Sequence, residues 1–189
     1  MSGYDIKIPE TLLPFVILDR DGVINHDSSD YIKSPDEWRP IPGALEAIAK
    51  LNHAGFRVLI ATNQSGINRK LFDIETLNRI HQKMQRSLHD VGGNIEAIFL
   101  CPHTEKDGCD CRKPKPGLLH QIIYRLQIQI DALPFVGDTL KDIKAGKVAG
   151  ARPILVRTGL KPPLPPPGVE AYDNLACAAD ALIKEKVTN

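Results

Sequence analysis

Short unbroken apolar runs alternate along the chain with longer segments whose apolar residues recur every three or four positions. Phe15-Val16-Ile17-Leu18, preceded by Pro14, reads as a buried strand. Pro42-Gly43 opens a segment with apolar Leu45, Ile48 and Leu51, and Ala54-Gly55 stops it, which predicts a helix with a glycine end. Val58 to Ala61 is the second strand. Asp73 is placed to cap a helix carrying Ile74, Leu77, Ile80, Met84 and Leu88 in one stripe, ended by Gly92-Gly93. Ile95 to Leu100 predicts a third strand. Pro116-Gly117 opens a helix with Leu118, Leu119, Ile122, Ile123 and Leu126. Leu133 to Val136 is a fourth strand, Leu140, Ile143 and Val148 mark a short helix, and Ile154 to Val156 is a fifth strand. Residues 161–168 are proline-rich and predict an extended loop, and 173–186 predict a helical tail.

Strands that are apolar throughout and alternate with helices belong in a parallel sheet covered on both faces. The fold class is therefore α/β, a single Rossmann-like doubly wound sheet, expected as one domain over residues 1–189. Composition narrows the partners. A net charge of +1 gives no electrostatic pull toward nucleic acid or membrane. No apolar run approaches the roughly 18 residues of a membrane span. The N-terminal MSGYDIKIPETLLP lacks a basic start and an apolar core, so it does not read as a signal peptide. A cytoplasmic monomer is expected. Of four cysteines, Cys101, Cys109 and Cys111 crowd into one short stretch, and in a reducing compartment that crowding points to a metal rather than disulfides. Cys177, alone in an alanine-rich helical segment, reads as a small buried apolar residue. His26, His53, His81, His89 and His120 read as solvated or partly packed.

Ligands of parallel sheets sit beyond the carboxyl ends of the strands. After the first strand comes Asp19-Arg20-Asp21-Gly22-Val23, where Asp19 and Asp21 face the same way along an extended chain. After the second comes Thr62-Asn63-Gln64-Ser65-Gly66, with a hydroxyl and backbone N–H groups suited to phosphate oxygens. After the fourth comes Gly137-Asp138, with Asp142 four residues on. Arg112, Lys113 and Lys115 precede the third helix. Acids this close repel unless a cation lies among them, and oxygen ligands suit magnesium. A cation beside lysine and arginine suits phosphoryl transfer, whose charge spreads over three oxygens.

In that order these residues resemble the haloacid dehalogenase superfamily of phosphatases. Asp19-x-Asp21-Gly22-Val23 is similar to its first motif, Thr62 to the second, Lys113 to the third, and Gly137-Asp138-x-x-x-Asp142 to the fourth. LDRDGVIN, ATNQSGI, CPH…CDCRKPKPG and GDTLKD resemble the branch that holds the heptose bisphosphate and histidinol phosphate phosphatases. The resemblance implies an aspartyl-phosphate on Asp19, with Asp21 as acid and then base, and Thr62 and Lys113 steadying the phosphoryl group. It implies Mg2+ held by Asp19, Asp138 and the Asp21 main-chain carbonyl. It implies substrate contacts from Arg112, from Asp27 and Tyr31 in the loop after the first motif, and from Asn63, Gln64 and Ser65. The expected substrate is a small phosphorylated metabolite, first a heptose 1,7-bisphosphate losing its 7-phosphate for lipopolysaccharide precursors, and second histidinol phosphate.

Cys101-x-His103 and Cys109-x-Cys111 offer a Cys3His set with no open position, which predicts a structural zinc in the loop 101–111. Cys111 directly precedes Arg112-Lys113, so the clip would steady the loop that presents both cations. The connections from Gly22 to Arg57 and from Leu100 to Leu133 are too short for an inserted cap domain. Two other classes compete. A phospho-receiver would want its acceptor aspartate after the third strand, where the zinc loop lies. A zinc-binding interaction module would leave Asp19, Asp21, Thr62 and Asp138 without a purpose.

Overall fold

The computed structural model describes residues 14–188, so the N-terminal stretch read for a leader lies largely outside the described residues. Six strands form one sheet: β1 Phe15–Leu18, β2 Arg57–Asn63, β3 Ala97–Cys101, β4 Pro134–Gly137, β5 Arg152–Val156 and β6 Glu170–Tyr172. Their spatial order is β3-β2-β1-β4-β5-β6, and every pairing is parallel. Four α-helices connect them, α1 Ala44–His53, α2 Ile74–Asp90, α3 Gly117–Leu126 and α4 Leu140–Ala149, and α5 Leu175–Thr188 follows β6.

Strand side chains alternate between faces, and two core clusters follow that period. Val16, Leu18, Val58, Ile60 and Val136 pack with α1, α2 and α5 on one face. Phe15, Ile17, Leu59, Ala61 and Phe135 pack with α3 and α4 on the other. Both faces are thus covered, which is why the strands carry no polar alternation. Asp73 caps α2 as its sequence position predicts, accepting from the Thr76 amide at 2.8 Å.

Several expectations need correction. β6 escaped the periodicity because it is three half-buried residues directly after the proline-rich loop. β3 begins after Ile95, which is buried just before the strand. Leu140 and Val148 marked α4, yet both are exposed; α4 docks through Ile143, Ala145 and Ala149, and through Gly146, which lies against Phe135 and Pro153. Cys177 faces solvent on α5 instead of the core. His81 is buried on α2.

Between β1 and β2 lie a loop and α1, and between β3 and β4 lie the cysteine-rich loop and α3; neither connection adds a domain over the sheet end. The loop after β1 is pinned by Trp38, which is fully buried, and by Lys83 of α2, whose Nζ donates to the carbonyls of Pro35 and Trp38 at 2.6 and 3.1 Å. No helix among the described residues is long and apolar enough to cross a membrane.

Candidate active site

β1, β2 and β4 are neighbours, so the residues leaving their carboxyl ends meet. Asp19, Asp21, Asp27, Tyr31, Thr62, Asn63, Gln64, Ser65, Arg112, Lys113 and Asp138 all line one cavity of about 220 Å³. Every metal or substrate contact expected from the strand ends is therefore on one wall system.

Its charged centre is almost dry. Lys113 is 2 % exposed, and its Nζ lies 2.8 Å from Asp19 and 2.6 Å from Asp142, with the Ala61 carbonyl accepting at 2.8 Å. Burial works against the ammonium, but two carboxylates hold its pKa above the ordinary lysine value. Asp19 receives the Arg20 amide on its other oxygen at 2.7 Å. Burial nevertheless pushes Asp19 up to about 7, against the pull of Lys113.

Asp138 is different. It is 3 % exposed, and among the described residues no donor or cation bonds its carboxylate. Gly22 and Gly159 clasp it: a Cβ on either would stand 2.2 or 2.1 Å from its Oδ2. Burial, reinforced by the charges of Asp19 and Asp142, pushes its pKa up to about 8. Buried carboxylates are normally paired or metal-bound. Carboxylate oxygens of Asp19, Asp138 and Asp142 fall within 4.8 Å of one another, so the set fits a hard cation such as Mg2+.

Asp21 is held by donors on both oxygens. Arg20 reaches it with Nε and Nη2 at 3.0 and 2.8 Å, Asn25 at 2.9 Å and Gln64 at 2.8 Å. Burial would raise this carboxyl, yet Arg20 and the amides keep it below its usual value. Gln64 Nε2 also lies 3.0 Å from Thr62 Oγ1.

The cysteine loop closes as a clip. Cys101, His103, Cys109 and Cys111 present ligand atoms 3.1 to 3.7 Å apart along their closest pairs. That is close to the ~3.8 Å edge of a tetrahedron with ~2.3 Å Zn–S bonds. All the cysteines are free thiols, so the set fits zinc and not a disulfide. The His103 carbonyl accepts from Arg112 Nη1 at 3.1 Å, and Lys115 Nζ bonds the Gly108 carbonyl and Asp110. Lys115 therefore braces the clip and stays out of the cavity wall.

A family model described as haloacid dehalogenase-like hydrolase matches residues 10–150. The chain belongs to the haloacid dehalogenase-like hydrolase family. This hydrolase is 48% identical over 178 residues to the D-glycero-beta-D-manno-heptose-1,7-bisphosphate 7-phosphatase of Bordetella bronchiseptica, covering 92% of this chain and 99% of that protein. It is 47% identical to the protein of the same name from Pseudomonas aeruginosa, covering 89% and 97%. The crystal structure of the B. bronchiseptica D,D-heptose 1,7-bisphosphate phosphatase, complexed with magnesium and phosphate, superposes with a TM-score of 0.87 over 91% of this chain and 99% of that one.

Within the hydrolase, some side chains have uses the motif order does not reveal. Asn63 bonds the main chain of Lys113 in both directions, at 3.1 Å each, so its amide locks the two motif loops together. Asp142 pairs with Lys113 and accepts from the Thr139 amide at 3.1 Å, capping α4 and the site at once. Ser28, Ile32, Thr139 and Lys141 also line the cavity and were not singled out in the sequence. Lys141 sits inside GDTLKD, so its position in a motif was the available signal.

Proposed function

We propose that this hydrolase removes the 7-phosphate from D-glycero-β-D-manno-heptose 1,7-bisphosphate through an aspartyl-phosphate on Asp19. What supports the reading most is likeness over nearly the whole chain to phosphatases of that name, combined with the gathering of the expected catalytic, magnesium and substrate residues around one cavity.

The Asp19 carboxylate, steadied by Lys113 at 2.8 Å, attacks phosphorus. The bond from phosphorus to the sugar oxygen breaks as the Asp19 oxygen–phosphorus bond forms. Asp21, ionised in the resting site, takes up a proton from solvent as substrate binds and gives it to the departing alkoxide, then takes one from the water that attacks the phosphoenzyme. Inorganic phosphate leaves and Asp19 is restored. Thr62 and Lys113 hold the transferring oxygens, Lys113 as a point charge. Asp19, Asp138 and the Asp21 carbonyl would hold Mg2+, which when bound supplies positive charge against the phosphoryl oxygens. Arg112 offers a planar fork to a more distant substrate group, such as the second phosphate. Asp27, Tyr31, Gln64 and Ser65 form the remaining wall, with Asn63 acting through Lys113.

Residues 1–189 are read as one monomeric domain in the cytoplasm, since one sheet carries both core clusters and its cysteines are free. The test is kcat/KM, with Mg2+, for the heptose bisphosphate, other phosphorylated sugars and histidinol phosphate. The heptose bisphosphate should lead. A higher value for histidinol phosphate would reassign the substrate, and light scattering checks the monomer.

A further inference from the structure

Arg20 stands between the two motif acids, lines no part of the cavity, and is completely buried. A guanidinium removed from water needs partners on every side. Its fork turns back onto Asp21, with Nε 3.0 Å from Oδ1 and Nη2 2.8 and 2.9 Å from the two oxygens. The remaining nitrogen, Nη1, lies 3.2 Å from Nε2 of His81. His81 belongs to the buried stripe of α2, with Leu77, Ile80 and Met84, so the helix that covers the sheet also backs the guanidinium. Burial and the adjacent Arg20 charge push the imidazole pKa down to about 4, which leaves a neutral ring with a lone pair for the Nη1 hydrogen.

We propose that Arg20 and His81 are positioning residues for proton transfer: His81 holds the guanidinium from behind, and the guanidinium fixes the direction in which Asp21 presents its carboxyl. The inference rests on the reading of Asp21 as the proton carrier. A bidentate fork allows one coplanar orientation of a carboxylate, so Asp21, which lines the cavity, is held there in a single orientation. Neither residue touches substrate or metal. Without His81, Nη1 is left buried and unpartnered, and the fork must tilt to find an acceptor.

Leaving-group dependence separates this role from packing. A sugar alkoxide needs a proton as it leaves, whereas p-nitrophenolate departs as a stable anion. Because kcat/KM includes no step after the leaving group departs, hydrolysis of the phosphoenzyme does not enter it. The comparison uses full-length His81→Leu, His81→Gln and Asp21→Asn, assayed with p-nitrophenyl phosphate and with the sugar phosphate that the wild-type protein hydrolyses best. Asp21→Asn should lower kcat/KM for the sugar phosphate by about 10²–10⁴-fold more than it lowers kcat/KM for p-nitrophenyl phosphate. His81→Leu should show the same selectivity at about tenfold to a hundredfold, the scale of a misplaced catalytic group. His81→Gln, whose amide oxygen can accept from Nη1, should recover most of the loss. If His81→Leu does not fold, His81→Asn, with its shorter amide, takes its place. Equal losses on both substrates, or none on either, would overturn the positioning role. If Asp21→Asn itself loses both activities equally, the proton-carrier assignment is wrong, and the role of Arg20 and His81 falls with it.

Discussion

Gly159 offers a clean way to disturb the metal cluster without touching any motif residue. It lies in the turn after β5, and its φ is not left-handed, so alanine suits its backbone. Space alone opposes the change. An alanine Cβ would stand 2.1 Å from Asp138 Oδ2, 3.0 Å from its Cγ and 3.2 Å from its Cβ. Ordinary contact begins at 3.4 Å, so the oxygen must retreat by about 1.3 Å. Gly22 closes on the same oxygen, and its carbonyl is tied to Thr158 at 2.6 Å, so the two loops do not part freely. A misplacement of ~1 Å at a reacting centre costs about 10²-fold in rate, or about 2.7 kcal/mol of barrier. Gly159→Ala should therefore cut kcat/KM about a hundredfold and raise the Mg2+ concentration for half-activation, while circular dichroism stays that of the wild type. Gly22→Ala would not be as informative, because its φ of 78° adds backbone strain to the same clash. Wild-type turnover with wild-type Mg2+ dependence in Gly159→Ala would refute the view that Asp138 is a confined metal ligand.

Asp19→Asn should lose turnover on the order of 10⁶-fold, as when other covalent nucleophiles are deleted, and no phosphoenzyme should form on rapid quenching and intact-mass analysis; comparable turnover excludes the covalent route. Cys109→Ser should lose its zinc by metal analysis and raise KM severalfold, because Arg112 is bonded to the His103 carbonyl of the clip at 3.1 Å; one zinc retained per chain rejects the ligand assignment. Asp19 and Asp138, raised by burial to about 7 and about 8, keep protons in the folded state that unfolded carboxyls have released above about pH 4. Stability without Mg2+ should therefore fall as pH rises from about 7 to 8.5, above the range of about 4 to 6.5 in which His81, neutral in the folded state, has the opposite effect. Mg2+ should raise the melting temperature more at pH 8.5 than at 6.5, and an equal shift at both would show that these acids are already ionised.

The chemistry of the site was legible because it is written at strand ends. Each apolar run announces where a strand stops, and in a parallel sheet all strands stop on the same side, so Asp19, Thr62 and Asp138 had to face one region. Cys101, His103, Cys109 and Cys111 were legible for a related reason, since ligands within one short loop meet whatever the rest of the chain does. His81 was not legible. On α2 it occupies a stripe position that any apolar residue could fill, and its partner lies 61 residues earlier. Cys177 and the α4 markers misled because a period of three or four names a face without saying which face is covered.

Periodicity, turn residues and motif order by themselves determined a doubly wound sheet, a phosphoryl-transfer site at its carboxyl end and a metal clip beside it. The sheet follows from local backbone preference and the burial of apolar faces, the site from the polar residues that end each strand, and the clip from ligands close together in one loop. Only the tertiary structure decided that β1 lies between β2 and β4, that Asn63 and Asp142 both serve Lys113, that two glycines confine Asp138, and that Arg20 leans on His81. Such pairings join side chains distant in the chain, and packing of the helices onto the sheet selects them among many partners of equal local merit.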